Sequence, residues 1–254
     1  LMKSNKWKFL LTGAATLTLL TACTQASSQS ATTSNTPQTT ATSTSNSKTD
    51  SSNYFTDKDK DTSYDESTAS TVKLSGSSAS VSGDGVAVSG STVTISKAGT
   101  YVISGESDGV QIKVEAGNSD DVHIVLKGVT MTNTNAPISA TKGGHVYLTL
   151  ADGTTNTLSD SSSNSDEDAD AVIFSKGDLT INGSGTLNIE AKKNNGIKAN
   201  DTLHITGGTY KITAVGDAFN VNDELNITGT TMTIDADEDA VKVDNDEDTS
   251  IGTM

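Results

Sequence analysis

Asp178-Leu-Thr-Ile181, Asp201-Thr-Leu-His-Ile205 and Asp223-Glu-Leu-Asn-Ile227 open three copies of one short pattern. The copies run 178–200, 201–222 and 223–245, a period of 22–23 residues. Their apolar positions superpose: Leu179, Leu203 and Leu225; Ile181, Ile205 and Ile227; Leu187, Tyr210 and Met232; Ile189, Ile212 and Ile234; Ile197, Phe219 and Val241. Glycines cluster at one shared turn, at Gly183 and Gly185, at Gly207 and Gly208, and at Gly229. Each copy therefore holds three short alternating strands separated by turns. A unit this small cannot bury its apolar side alone; identical units stack, each covering the next. A propeller blade would need about 40 residues per repeat, and a leucine-rich repeat would show a helix. Three strands in about 22 residues is the arithmetic of a single-stranded parallel β-helix.

Upstream, the same all-β texture continues with a less visible period. Val110, Ile112 and Val114 alternate, and Val122–Leu126 and Val146–Leu150 read as short strands. No window carries a helical apolar stripe. A β-sandwich is the main competitor over 72–150. The expected β-helical domain spans 71–254.

The N-terminal part differs in kind. Lys3, Lys6 and Lys8 precede a short apolar stretch from Phe9 to Leu20, and Leu20-Thr-Ala-Cys23 has the form of a lipobox. Residues 1–22 are expected to be a lipoprotein signal peptide. Cys23 is the only cysteine, so it forms no internal disulfide and is the expected lipidation site. Two acyl chains suffice for stable membrane anchoring, which implies the extracellular face of the cell membrane. Residues 23–70, dominated at first by Ser and Thr and then by charge, are expected to be a disordered tether.

Removing residues 1–22 takes three lysines and no acid from a chain of formal charge −15, leaving −18. All seventeen basic residues are lysine. Such a surface disfavours nucleic acid as a partner, because phosphate contacts need basic groups; cation binding and solubility fit it better.

Several runs resemble one known family. They are Ala98-Gly-Thr-Tyr-Val-Ile-Ser-Gly105, Val122-His-Ile-Val-Leu-Lys-Gly128, Leu148-Thr-Leu-Ala-Asp-Gly-Thr-Thr-Asn-Thr-Leu158 and the long stretch from Asp170 to Leu187. Across roughly 80–245 the chain resembles the secreted bacterial carbohydrate-binding domain proteins with a right-handed parallel β-helix. The resemblance implies a pectate-lyase-like helix that binds polysaccharide, including acidic polysaccharide, and carries calcium. Family members usually have an Asp-Asp pair at a fixed place in each coil. This chain departs from it, with Ala169-Asp170, Asn194-Asn195, Gly216-Asp217 and Glu238-Asp239.

Those positions form the main candidate site. Asp170, Asn195, Asp217 and Asp239 recur just before the third strand of each coil. Ionised carboxylates stacked ~4.8 Å apart repel by roughly 1 kcal/mol in water and about 3.5 at an effective dielectric of 20. Something must offset that repulsion. Hard oxygen ligands in a turn favour Ca²⁺, so Asp217, Asp237, Glu238 and Asp239, with Asp170, are the candidate metal ligands. The plainer reading is solvated turn aspartates. Three residues further along each coil lie Lys198, Asn220 and Lys242, candidates for hydrogen bonds to sugar hydroxyls or for pairing with uronates; surface ion pairing is the plainer reading. The loop 160–170 reads as a solvated insertion. His123 and His204 should point outward, and no ligand spacing suggests zinc. The expected function is non-catalytic polysaccharide binding. An adhesin or spacer is the alternative. A polysaccharide lyase is less favoured, because the base in β-helical pectate lyases is typically an arginine and this chain has none.

Overall fold

The computed structural model describes residues 54–245 and the backbone of Phe9–Leu11. Cys23 and residues 23–53 of the expected tether lie outside the described residues. Among the latter the fold is all-β, with mostly parallel curled sheets and one short helix, Asp57–Lys60. No helix there is long and apolar enough to cross a membrane.

Three ladders of strands organise the domain. The first contains Val122–Thr132, Val146–Leu150, Leu179–Gly183, Thr202–Ile205 and Glu224–Ile227. The second begins at the far end of Val122–Thr132 and continues through Thr155–Ser159, Thr186–Ala191, Thr209–Ala214 and Thr231–Ala236. The third contains Gln111–Glu115, Ile138–Lys142, Ala171–Ser175, Asn195–Ala199, Phe219–Val221 and Val241–Val243. All these pairings are parallel, and each strand pairs with its counterpart in the next circuit of chain. The registers are those of the repeat: Leu179 pairs with Leu203 and Leu203 with Leu225, Tyr210 with Leu187 and Met232, and Phe219 with Ile197 and Val241.

Like residues therefore stack along the interior. One continuous apolar core runs from Val72 to Met232, with Tyr101, Tyr210 and Phe219 its largest fully buried side chains. Tyr210 can be buried because its hydroxyl donates to the Gly207 carbonyl oxygen at 2.8 Å. The turn between the first two ladders needs glycine for a steric reason. Gly183 has φ 96°, and a Cβ there would lie 2.3 Å from the Leu150 carbonyl oxygen.

The two ends differ. At the N-terminal end, Ser70–Gly76 pairs antiparallel with Ser78–Ser82 and parallel with Gly99–Asp108, while Val86–Ser89 pairs antiparallel with Thr92–Ile95. At the other end, Phe9–Leu11 pairs antiparallel with Thr231–Ala236, along an edge whose backbone groups would otherwise lack ladder partners.

Residues 54–69 correct an expectation. Composition assigned them to the tether, but the structure packs them as a strap along the outside of the first ladder. Thr56 caps the short helix, and Asp59 at its third position closes a reciprocal capping box. Asp59 is only 1% exposed. Tyr64 and Ala69 pack on a small apolar cluster of Val102, Val125 and Ala151 on the ladder's outer side.

Candidate functional site

The third ladder brings the predicted polar residues together. Lys198 pairs in register with Asn220, and Asn220 with Lys242, so the three side chains form one outward row. Phe174 continues the row on the other side of Lys198, but it is buried with Ala136 and Ala169 beneath the loop that follows Asp160. Asp160 anchors that loop. Its carboxylate accepts the Lys192 backbone N–H at 2.6 Å and the Asn164 amide at 3.3 Å. Burial nonetheless pushes the Asp160 carboxyl above its ordinary range, against those hydrogen bonds. Between the loop and the corner lies an open groove of about 660 Å³, lined in part by Asp166, Glu167, Asp170, Lys193 and Asn194.

Asp170 and Asp217 are occupied by protein donors. Asp170 accepts from Lys198 Nζ at 2.8 Å and from the Asn194 amide. The buried Asn195 Oδ1 accepts the backbone N–H of Asp217 at 3.2 Å, one circuit on. Asp217, also buried, repeats the device: its Oδ1 accepts the N–H of Asp239 at 3.0 Å, and its Oδ2 accepts the Asn220 amide at 2.8 Å. The row thus stitches one circuit to the next. Asp237, Glu238 and Asp239 are exposed in the following turn. Among the described residues, no three His, Cys, Asp or Glu side chains gather closely enough to hold an ion. N–H donors and Lys198 thus offset the charge of Asp170 and Asp217, and the predicted ligands are not gathered into one cage among the described residues.

Sequence reasoning missed a second cluster, beneath the strap. Thr180 and His204 are adjacent on the outer side of the first ladder, and Tyr147 pairs with Thr180. His204 points away from the core, as its flanking leucine and isoleucine require, yet it is largely covered. Its Nδ1 lies 3.3 Å from Asp59 Oδ2, off the line of a hydrogen bond. Asp59 Oδ1 accepts from Thr180 Oγ1 at 2.6 Å, and Oδ2 accepts the Thr56 N–H and hydroxyl, each at 2.8 Å. The Asn182 amide and Thr206 hydroxyl donate to the Asp59 carbonyl oxygen at 3.2 and 2.7 Å. Burial alone would raise the Asp59 carboxyl; the Thr180 and Thr56 donors and nearby His204 outweigh it and bring it down to about 2. His145 stacks on Tyr147 with ring centroids 4.1 Å apart, and its Nε2 is 2.8 Å from Thr180 Oγ1. Burial pushes both His145 and His123 below the ordinary imidazole range, against the pull of nearby aspartates. Burial and the surrounding aspartates lift Tyr147 to about 12. The available sequence signal was the spacing Thr56-x-x-Asp59 after Tyr54-Phe55.

Comparison with known proteins places this geometry. A family model described as carbohydrate-binding domain-containing protein matches residues 89–254, more than half of the chain. The chain belongs to that family. A carbohydrate-binding domain-containing protein of Acetivibrio thermocellus is 38% identical over 125 residues, which cover 47% of this chain and 44% of that protein. The chain thus matches less than half the length of that relative. The solved structure of a polysaccharide lyase-like protein from C. thermocellum, a gadolinium derivative, superposes with a TM-score of 0.59 at 26% identity, covering 68% of this chain and 93% of that one. The family match contains the Lys198–Asn220–Lys242 row, the corner acids and the groove. It excludes the strap.

Proposed function

We propose that this carbohydrate-binding domain protein is a lipoprotein, anchored through Cys23 on the extracellular face of the cell membrane, whose domain binds a polysaccharide without cleaving it. The observation that carries the reading is the family match across the region holding the outward row and its groove. We read the curled sheets as a right-handed single-stranded β-helix with about 22 residues per coil, a reading supported by parallel registers that join each strand to its counterpart one circuit on. Such a body offers a long shallow face to a polymer. The row Lys198, Asn220 and Lys242 rises ~4.8 Å per coil and alternates cationic and amide donors suited to sugar hydroxyls. Lys198 is held by Asp170, which favours hydroxyl recognition there over uronate pairing.

The polysaccharide lyase-like neighbour raises the one competing reading. Against it stand the absence of arginine from the given sequence and the engagement of Lys198 by Asp170 at 2.8 Å. Calcium assistance was expected from Asp217, Asp237, Glu238 and Asp239, with Asp170, and the calcium arm of the pull-down below reads it directly.

Pull-down of the chain on pectin, cellulose and cell-wall polymers, with and without calcium, tests the reading. Retention on at least one polymer is expected, and retention on none would overturn it. Unsaturated, ultraviolet-absorbing products released from polygalacturonate would replace binding with lyase activity. Cys23→Ser is expected to release the protein from the membrane fraction; unchanged membrane association would remove the anchor.

A further inference from the structure

A cavity of about 400 Å³ lies where the strap meets the first ladder, lined among others by Tyr54, Tyr147, Asp178, Thr202, His204 and Glu224. It is outside the corner row and its groove. We propose that it is a subsite for an amine-bearing sugar, a deacetylated hexosamine unit of the bound polysaccharide. The proposal rests on the polysaccharide-binding reading and adds a substrate class to it.

The ladder register builds the site. Asp178, Thr202 and Glu224 each stand immediately before Leu179, Leu203 and Leu225, which pair with one another, and Thr202 pairs directly with Glu224. Two carboxylates therefore flank one hydroxyl, each a single circuit of ~4.8 Å away. Among the described residues each carboxylate is held at one oxygen: Asp178 Oδ1 accepts the Thr202 N–H at 3.1 Å, and Glu224 Oε1 accepts the Asn226 amide at 2.7 Å. The second oxygen of each is open to a ligand. Among the described residues no lysine lines the cavity. The strap's lysines are engaged nearby, Lys58 with Asp121 and over the Tyr147 ring at 4.7 Å, Lys60 over the Phe55 ring at 6.0 Å. Asp59 adds a further negative charge beneath the cavity, and neighbouring Asp201 is lifted by burial and then by Asp178 and Asp223, a sign of the local field. Tyr54, 42% exposed, supplies a ring on which a sugar face can rest.

These groups discriminate by charge. A uronate would add another carboxylate to a cavity whose described lining holds Asp178 and Glu224 and no lysine. A neutral sugar gains ordinary hydrogen bonds. A protonated amine above Thr202 gains charge-assisted hydrogen bonds to Asp178 and Glu224.

The test is calorimetric titration of the full chain, at one ionic strength, with short glucosamine oligomers, their N-acetylated counterparts and oligogalacturonate. The amine-bearing oligomers are expected to bind at least about ten-fold more tightly than the acetylated ones, the reward of one well-placed charge-assisted contact. The double variant Asp178→Asn/Glu224→Gln should abolish that preference, with an unchanged far-ultraviolet circular dichroism spectrum showing that the ladders stay folded. Asp84→Asn/Glu106→Gln removes the same charge from exposed positions near the opposite end and should keep the preference. Equal affinity for amine and acetamide, an unchanged double variant, or equal loss in the control pair would each overturn the subsite, the last by reducing it to net-charge attraction. Retention on neutral polymers without amine preference would sink this inference alone. Retention on no polymer, amine-bearing ones included, would sink the binding reading with it.

Discussion

The ladders over 178–243 and the strap over 54–69 hold to the same body by different physics. The ladders stack apolar side chains in registers repeated circuit after circuit. The strap docks through one buried carboxylate, threonine and asparagine donors and a small apolar contact at Tyr64 and Ala69. Apolar stacking is non-directional and additive over many contacts. Polar docking is directional, and its failure leaves buried groups unsatisfied. Each ladder strand therefore carries two kinds of information: its inward residues define the fold, and its outward residues define what the outer face can hold.

The largest effect should come from the ladder interior. Phe219→Ala removes a fully buried ring between Ile197 and Val241 and should cost about 3–5 kcal/mol in denaturant unfolding. A loss under 1 kcal/mol would mean that the third ladder does not carry the core. Next comes the turn. Gly183→Ala forces a side chain into φ 96° and against the Leu150 carbonyl, at a cost of about 1–3 kcal/mol.

The strap should respond on a smaller scale and locally. Asp59→Ala strands the Thr180 hydroxyl and opens the helix cap, so proteolysis within 54–69 should quicken while the ladders keep their midpoint; the expected cost is about 1–3 kcal/mol. The same contact has a pH signature. The Asp59 carboxyl is held at about 2, below its unfolded value of roughly 4. A depressed carboxylate stabilises the folded form above the unfolded value and loses that contribution as pH falls through the folded one. Strap docking should therefore weaken between about pH 4 and pH 2, and Asp59→Asn should flatten that dependence. The smallest effect belongs to the corner row. Lys198→Ala should change stability by only ~0–1 kcal/mol, and a chelator should leave the thermal midpoint unchanged. A midpoint lowered by chelation would restore calcium to Asp217, Asp237, Glu238 and Asp239.

The ladder residues were legible because their period is visible: every apolar set aligned by eye, from Leu179–Leu203–Leu225 to Ile197–Phe219–Val241, is a register set in the structure. The upstream circuits follow the same plan but hide it. The loop after Asp160 separates Ile138 from its partner Ile173, and a register shift falls between Ile103 and Gly105. The Lys198–Asn220–Lys242 row was also legible, since positions three residues beyond the corner must stack. What Asp217 does was not. A turn aspartate that accepts the next circuit's N–H and one that holds an ion have the same sequence, and only the position of Asp239 N tells them apart. The strap was illegible for a related reason: Thr56, Asp59 and Tyr64 lie in a stretch polar enough to resemble a tether, and the partners of Asp59 stand more than a hundred residues away at Thr180, Asn182 and Thr206.

Native-state hydrogen exchange of the full chain and of Asp59→Asn tests the division between ladder and strap most directly. The account predicts that amides across 179–236 share one high protection, that amides across 56–69 exchange through a separate and cheaper opening, and that the substitution accelerates only the latter. Uniform loss of protection across both regions would contradict it, because the strap would then be part of the core rather than a covering docked upon it.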